Sequence, residues 1–170
     1  KGGPVTLTDK NMTRFVMSVE EAVELVLNSV IEAKGGEVFV TKMPVMRIED
    51  LALAMIEELS SGSVNITEIG SKPGEKLYEE LMSDEETRRT IELDKFFSVL
   101  PAFRGIYSDI KYDYSVIVSE LVKDPYVSEQ QASLTIEEVK NFLRDNRLLL
   151  DSHSKDQSTR YWPGDKEERS

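Results

Sequence analysis

Apolar residues recur at helical spacing from Val19 through Ala22, Val23, Val26, Leu27 and Val30 to Ile31, behind a capping box formed by Ser18 and Glu21. Gly35-Gly36 stops that pattern, so a helix is expected between them. A second stripe, Ile48, Leu51, Ala52, Met55, Ile56 and Leu59, ends at Ser60-Ser61-Gly62. A third begins at the capping box of Thr135 and Glu138, with Ile136, Val139, Phe142 and Leu143 on one face. Ser83 and Glu86 mark a shorter capped start, with Thr90 to Leu93 leading out of it. Between the helices, Val5-Thr6-Leu7-Thr8, Thr13 to Met17, Glu37 to Thr41, Val64 to Ile69 and Phe96 to Leu100 alternate or concentrate β-branched and aromatic residues, which suits strands. Ser115 to Val122 fits either a strand or a helix, and Ala102 to Tyr114 reads as a loop with embedded aromatics.

This alternation implies a mixed α/β (α+β) fold, a small sheet with helices packed on it. The patterned part, residues 1–150, reads as one domain, and residues 151–170 as a disordered polar tail. One connection stands out. In Gly70-Ser71-Lys72-Pro73-Gly74-Glu75-Lys76-Leu77-Tyr78-Glu79-Glu80-Leu81, Pro73-Gly74 carries the type II turn signature, and Lys72 and Glu75 flank its corner. Leu77 and Leu81, one helical turn apart, are expected to anchor a following helix whose Glu79 and Glu80 face water. An ordinary strand-turn-helix connection has the same spacing, so the turn alone does not decide for binding.

Composition narrows the chemistry. The 170 residues carry no apolar run long enough to span a bilayer and no leader-like start at Lys1, and cysteine is absent. A reducing, cytoplasmic setting is expected, without disulfides or thiolate zinc sites. The net charge of -11 disfavours nonspecific nucleic-acid binding, and the acidity lies before Asp151, because the tail holds five acids against four bases. An anionic ligand would therefore need locally placed cations, which draws attention to Lys72 and to Arg14, between strand-forming residues just before the first helix. A structural ion pair is the plainer reading of Arg14. The single histidine, His153, lies in the tail, so histidine catalysis and a histidine metal site are not expected. Carboxylate pairs such as Glu20-Glu21 and Glu57-Glu58 sit on helices opposite apolar stripes and read as solvated faces. None of the nine glycines builds a Gly-x-Gly-x-x-Gly or a Gly-x-x-x-x-Gly-Lys loop.

Four blocks in order, Gly2 to Asp9, Met12 to Met17, Lys42 to Ala52 and Lys72 to Leu81, resemble consecutive blocks of one family. That family is the polysaccharide-biosynthesis branch of extended short-chain dehydrogenases, the nucleotide-sugar 4,6-dehydratases and epimerases. Tyr126-Val127-Ser128 and Leu134 to Val139 resemble its C-terminal extension, so the resemblance covers about residues 1 to 145. Gln131-Ala132-Ser133 departs from the usual run there.

The resemblance implies the C-terminal, substrate-binding portion of such an enzyme, with the N-terminal Rossmann domain that holds NAD(P) and the catalytic residues absent. It implies a UDP-sugar ligand and no cofactor held by this chain. Arg14 matches a pyrophosphate-contacting arginine, Glu75 an acid that accepts ribose hydroxyls, and Val5, Thr6 and Leu7 a strand lying against uracil. Lys72 stands where the family usually has a second pyrophosphate arginine, and it supplies a point charge without a bidentate fork. Tyr107 and Lys111 share the spacing of the family's catalytic Tyr-x-x-x-Lys, but in a weakly patterned segment, and no catalytic residue is expected in this chain. A stand-alone interaction or oligomerisation module that keeps the fold is the competing expectation. It predicts self-association, a homo-oligomer, through an exposed apolar patch.

Overall fold

The structure is a computed structural model, described here over residues 3–103 and 105–149. The tail expected over residues 151–170, with His153, lies outside the described residues.

The elements run β1 (Val5–Leu7), β2 (Thr13–Phe15), α1 (Val19–Glu32), β3 (Val38–Thr41), β4 (Val45–Arg47), α2 (Ile48–Leu59), β5 (Ile66–Glu68), β6 (Glu80–Met82), α3 (Asp84–Thr87), β7 (Thr90–Leu93), β8 (Phe96–Val99), β9 (Ile117–Ser119), β10 (Tyr126–Val127) and α4 (Ile136–Asp145). The mixed α/β class expected from the pattern is what forms. Its sheet is divided: an antiparallel four-stranded sheet in the order β3-β8-β7-β9, a parallel pair β1-β5, and antiparallel pairs β2-β4 and β6-β10.

The capping boxes form as written. The Ser18 amide donates to Glu21 Oε2 at 2.6 Å and the Glu21 amide to Ser18 Oγ at 3.1 Å, satisfying two of the orphan donors at the head of α1. Thr135 and Glu138 do the same for α4. Helices α2 and α4 pack through Ala54, Val139 and Leu143 over Met46 of β4, with Leu51, Ile136 and Phe142 closing around them. Asp50, buried in α2, accepts both Nε and Nη2 of Arg47 at 2.7 and 2.9 Å, so its charge is paired inside the fold. A second core joins Met82, Phe97, Val99 and Tyr126, and the Tyr126 hydroxyl accepts from the Met43 amide at 2.7 Å and donates to the Met43 carbonyl at 3.0 Å.

Three expectations change. No helix follows Gly74: Leu77 and Leu81 are exposed, and residues 80–82 are β6. Long-range bonds outcompete helical ones there, because the Leu77 carbonyl accepts from the Thr13 amide (2.9 Å) and the Glu79 carbonyl from the Ser128 amide (2.8 Å). The segment that read as strand or helix contributes β9, an edge strand, as its β-branched run allows. Thr90 to Leu93, read only as an exit from α3, is β7, which pairs on both sides. Tyr107 lies in a one-turn 3₁₀ helix, half-buried, with its ring against Gly36, and Lys111 is exposed; the pair is not on an α-helix.

The first helix forms, yet none of its side chains is buried. Val19, Val23, Val26, Leu27, Val30 and Ile31 are all more than half exposed, while Ala22, Leu25, Asn28, Ser29 and Glu32 are half-buried. The apolar stripe points away from the described body.

Candidate functional site

Backbone geometry makes the turn at Pro73 what the sequence suggests. Gly74 has φ +84°, and the Glu75 amide donates to the Lys72 carbonyl at 3.1 Å, which closes a type II turn around Pro73-Gly74. Glu75 staples the corner: one carboxylate oxygen accepts the Lys72 amide at 3.2 Å, and the other accepts the Thr8 hydroxyl at 3.2 Å. That second bond ties the loop to the end of β1.

Strand β1 is itself fixed by β5. The Val5 amide donates to the Asn65 carbonyl at 2.9 Å and the Leu7 carbonyl accepts the Ile69 amide at 2.7 Å. In a parallel ladder alternate residues bond to the same neighbour, so with Val5 and Leu7 directed at β5, the amide and carbonyl of Thr6 face the opposite edge. Leu7 is buried, Val5 half-buried and Thr6 exposed.

Arg14 reaches the loop from β2. Its Nη1 donates to the Thr13 carbonyl and its Nη2 to the Lys76 carbonyl, both at 2.7 Å, and its Nε lies 3.4 Å from Glu79 Oε1. A guanidinium has five N–H bonds, so two remain for a ligand. The carboxylate of Glu79 tempers the charge, and the ion pair that is the plainer reading of Arg14 does form. Around the loop stand Asp9, Glu68, Glu75, Glu79 and Glu80 with Lys10, Arg14, Lys72 and Lys76, so no strong positive field exists, only individually placed cations. Lys72 is exposed and its ammonium makes no ion pair among the described residues.

The fold therefore brings Arg14, Glu75 and the β1 end together, with Lys72 at the corner beside them. A shallow depression of about 340 Å³, lined by Lys76, Leu77, Tyr78 and Glu80, adjoins them. Residues that sequence reasoning did not single out hold the assembly. Ser128 is fully buried; its hydroxyl lies 2.8 Å from Thr13 Oγ1 and accepts the Glu79 amide at 2.9 Å, while its own amide donates to the Glu79 carbonyl. One serine thus locks β2 to the exit of the loop. The only signal for it was its place in the block Tyr126-Val127-Ser128. Thr8 was within the strand run but carried no hint of its bond to Glu75.

No dinucleotide cradle is built from the described residues. Such a cradle needs glycines between a strand and the N-terminus of a helix. The left-handed glycines are elsewhere: Gly35 and Gly36 follow α1, and Gly70 and Gly74 lie between β5 and β6. The segments that lead from β2 to α1, from β4 to α2, from β6 to α3 and from β10 to α4 contain no glycine. Nor do the described residues hold a group of His, Asp or Glu side chains suited to a metal ion. No helix among them is long and apolar enough to cross a membrane.

Known proteins resemble this arrangement. Residues 1–101 match the family model for polysaccharide biosynthesis proteins. The chain is 43% identical over 155 residues to an uncharacterized membrane protein of Methanocaldococcus jannaschii, covering 88% of this chain and 43% of that protein. It is 33% identical over 122 residues to the inverting UDP-N-acetylglucosamine 4,6-dehydratase of Campylobacter jejuni, covering 71% of this chain and 35% of the enzyme. A UDP-glucose 4-epimerase of Rickettsia akari is 34% identical over 147 residues, covering 84% and 41%. The X-ray structure of Pen from Bacillus thuringiensis superposes with a TM-score of 0.72 at 35% identity, covering 86% of this chain and 41% of that one. The chain spans less than half the length of these relatives. With more than half of its residues inside the family model, and with the turn, β1 and β2 assembled from the blocks that carried the resemblance, the chain belongs to the polysaccharide-biosynthesis branch of the extended short-chain dehydrogenases.

Proposed function

We propose that this chain is the UDP-sugar-binding, C-terminal portion of an NAD(P)-dependent nucleotide-sugar 4,6-dehydratase or 4-epimerase, and that it is not catalytic alone. The carrying observation is the meeting of Arg14 and Glu75 at the end of β1 through the Arg14–Lys76 and Thr8–Glu75 hydrogen bonds, across 62 and 67 residues of sequence. The pair suits a nucleoside diphosphate: a diphosphate takes charge-assisted bonds from fixed N–H groups, and ribose hydroxyls are donors that a carboxylate accepts. Arg14 offers its two remaining N–H bonds to the diphosphate, and Lys72 adds a point charge from the corner. Glu75 keeps lone pairs for the ribose beyond those used by Thr8 and the Lys72 amide. The outward amide and carbonyl of Thr6, between Val5 and Leu7, match the donor and acceptor edge of uracil. The dinucleotide, and the redox chemistry it supplies, belongs to a Rossmann domain outside this chain. The reading keeps the cytoplasmic setting expected from the cysteine-free composition.

Titration calorimetry with UDP tests this. Arg14→Ala and Glu75→Ala each weaken binding by roughly tenfold or more, the worth of one charge-assisted hydrogen bond. Uridine binding responds to Glu75→Ala but not to Arg14→Ala. A folded sample that binds no UDP, or unchanged binding in both variants, refutes the site. The outward apolar face of α1 also favours a second reading, an interaction or oligomerisation module; self-association that rises with concentration supports it, and a strictly monomeric chain counts against it.

A further inference from the structure

A cavity of about 530 Å³ opens between the four-stranded sheet and the segment that runs from β9 to β10, and it shares no residue with the Arg14–Glu75 assembly. Its floor is aromatic and already covered. Phe97 of β8 is 9% exposed; the Lys42 ammonium stands 5.2 Å from its ring centroid, and the Tyr126 ring tilts against it at 5.2 Å. The Tyr126 hydroxyl is engaged by both backbone groups of Met43, so this tyrosine contributes only its ring. The rim comes from the β9–β10 connection, where the Ser119 hydroxyl accepts the Leu121 amide at 3.2 Å and donates to the Leu121 carbonyl at 2.8 Å. Those two bonds order the turn that brings Leu121, Val122 and Pro125 to the opening.

Polar groups of both signs line the same space. The Lys42 ammonium donates to Glu92 Oε1 at 2.8 Å, and with the two side chains 30% and 29% exposed, each keeps hydrogen-bonding capacity beyond the pair. Lys123 and Asp124 are exposed and form no ion pair among the described residues. Gln131 follows the one-turn 3₁₀ helix at 128–130, and its amide donates to the Ser128 carbonyl at 3.3 Å. Its half-buried carboxamide makes no hydrogen bond among the described residues. It opens the run Gln131-Ala132-Ser133, which departs from the usual one and has no part in the UDP reading.

The lining narrows the ligand. Two ammoniums and two carboxylates balance, on a chain whose net charge is -11, so the cavity favours neither an anion nor a cation by its field. A phosphate beside Lys42 would also meet Glu92. A nucleobase is disfavoured too, because Phe97 lies under Lys42 and Tyr126 and offers no open face for stacking. A neutral molecule rich in hydroxyls meets every condition: a hydroxyl donates to a carboxylate and accepts from an ammonium, and a carboxamide does both. The C–H face of a sugar ring would rest on Leu121, Val122 and Pro125. The volume is within the ~300–1,000 Å³ of small-molecule sites. We infer that this cavity is a second binding site, for a neutral saccharide of one or two rings that carries no nucleotide. It goes beyond the UDP-sugar reading, which uses none of these residues.

The test follows the amide resonances of the nitrogen-labelled chain during titration with N-acetyl-D-glucosamine and with cellobiose. Lys42, Glu92, Gln131 and residues 121–124 shift together. N-acetyl-D-glucosamine binds with a dissociation constant on the order of 1 mM, the strength that ordinary ligand efficiency gives about 15 non-hydrogen atoms. Gln131→Ala and Lys123→Ala each weaken binding roughly twofold to tenfold, the worth of one hydrogen bond. Their thermal midpoints stay at the parent value, since neither side chain has a partner in the fold. Inorganic phosphate leaves the same amides in place. No shift with either sugar, or binding unaltered in both variants, overturns the inference. So does a phosphate-induced shift of these amides, which assigns the cavity to an anion. Sugar shifts that centre on Thr8, Arg14 and Glu75 and vanish in Arg14→Ala also overturn it, because the sugar is then held at the proposed UDP site. UDP added to the same samples keeps the two readings apart: sugar binding without UDP binding removes only the Arg14 site, and sugar shifts that persist with UDP bound support a separate one.

Discussion

Ser128→Ala removes one oxygen from the point where β2, the exit of the Pro73-Gly74 loop and β10 meet. The serine is fully buried, and its loss leaves the buried Thr13 hydroxyl without its 2.8 Å partner and the Glu79 amide without its 2.9 Å acceptor. An orphaned buried hydroxyl costs about 1–3 kcal/mol and a lost bond at a partly exposed amide about 1 kcal/mol, so the variant is destabilised by about 3 kcal/mol. Urea unfolding followed by circular dichroism reads this as a lower midpoint with an unchanged slope, and heating as a fall of about 6–12 °C. Thr13→Val alone costs less, about 1 kcal/mol, because Ser128 still accepts the Glu79 amide. The double variant has no orphaned hydroxyl, so it costs about 1 kcal/mol less than the two singles together. Because Glu79 and Lys76 hold the Arg14 guanidinium, the proposed UDP site predicts that Ser128→Ala also weakens UDP binding without touching the ligand. Additivity of the two substitutions within about 0.3 kcal/mol, or a Ser128→Ala cost below about 1 kcal/mol, refutes the assignment of this serine as the lock.

Two further outcomes follow from other parts of the fold. Burial, partly offset by its bond to Ser98, pushes the Tyr114 phenol up to about 12 from 10.0. Stability from its neutral form is complete below pH 10 and is lost as pH rises from there toward 12; Tyr114→Phe shrinks that alkaline loss in urea titrations, and an unchanged loss rejects the cause. At neutral pH the same substitution costs about 1–3 kcal/mol because the fully buried Ser98 loses its 2.7 Å partner, and Ser98→Ala in the same chain recovers most of it. At the turn after Pro73, Gly74→Ala meets no atom within 4 Å, so its cost is the left-handed conformation alone, about 1–2 kcal/mol. A thermal midpoint within about 1 °C of the parent contradicts a type II turn there.

What the sequence discloses is local. Capping boxes at Ser18, Ser83 and Thr135 depend on residues three apart, and all three form. The turn at Pro73-Gly74 is likewise a property of four residues. The failures are non-local: Leu77 and Leu81 sit at helical spacing, but the Thr13 amide and Ser128, 64 and 47 or more residues away, draw the segment into extended form. β7 has weak strand character and owes its state to neighbours on both sides. For the candidate site, the residue types and blocks named Arg14 and Glu75, while Thr8 and Ser128 were marked only by lying inside such blocks, because a small hydroxyl has no pattern until its partners are in space. The stripe on α1 was legible as a stripe; which way it faces is decided by tertiary packing and has no signature in periodicity.

Arg14 is held at both ends of its fork before any ligand arrives. A free arginine surrenders about 2 kcal/mol of rotamer entropy when it is immobilised, and here that loss is taken during folding. An anion that meets this side chain orders little of the protein, so the penalty falls on the stability of the chain rather than on affinity. Lysine in its place would keep the charge and lose the tether to the Lys76 carbonyl, leaving a mobile ammonium that must be ordered afresh at every binding event.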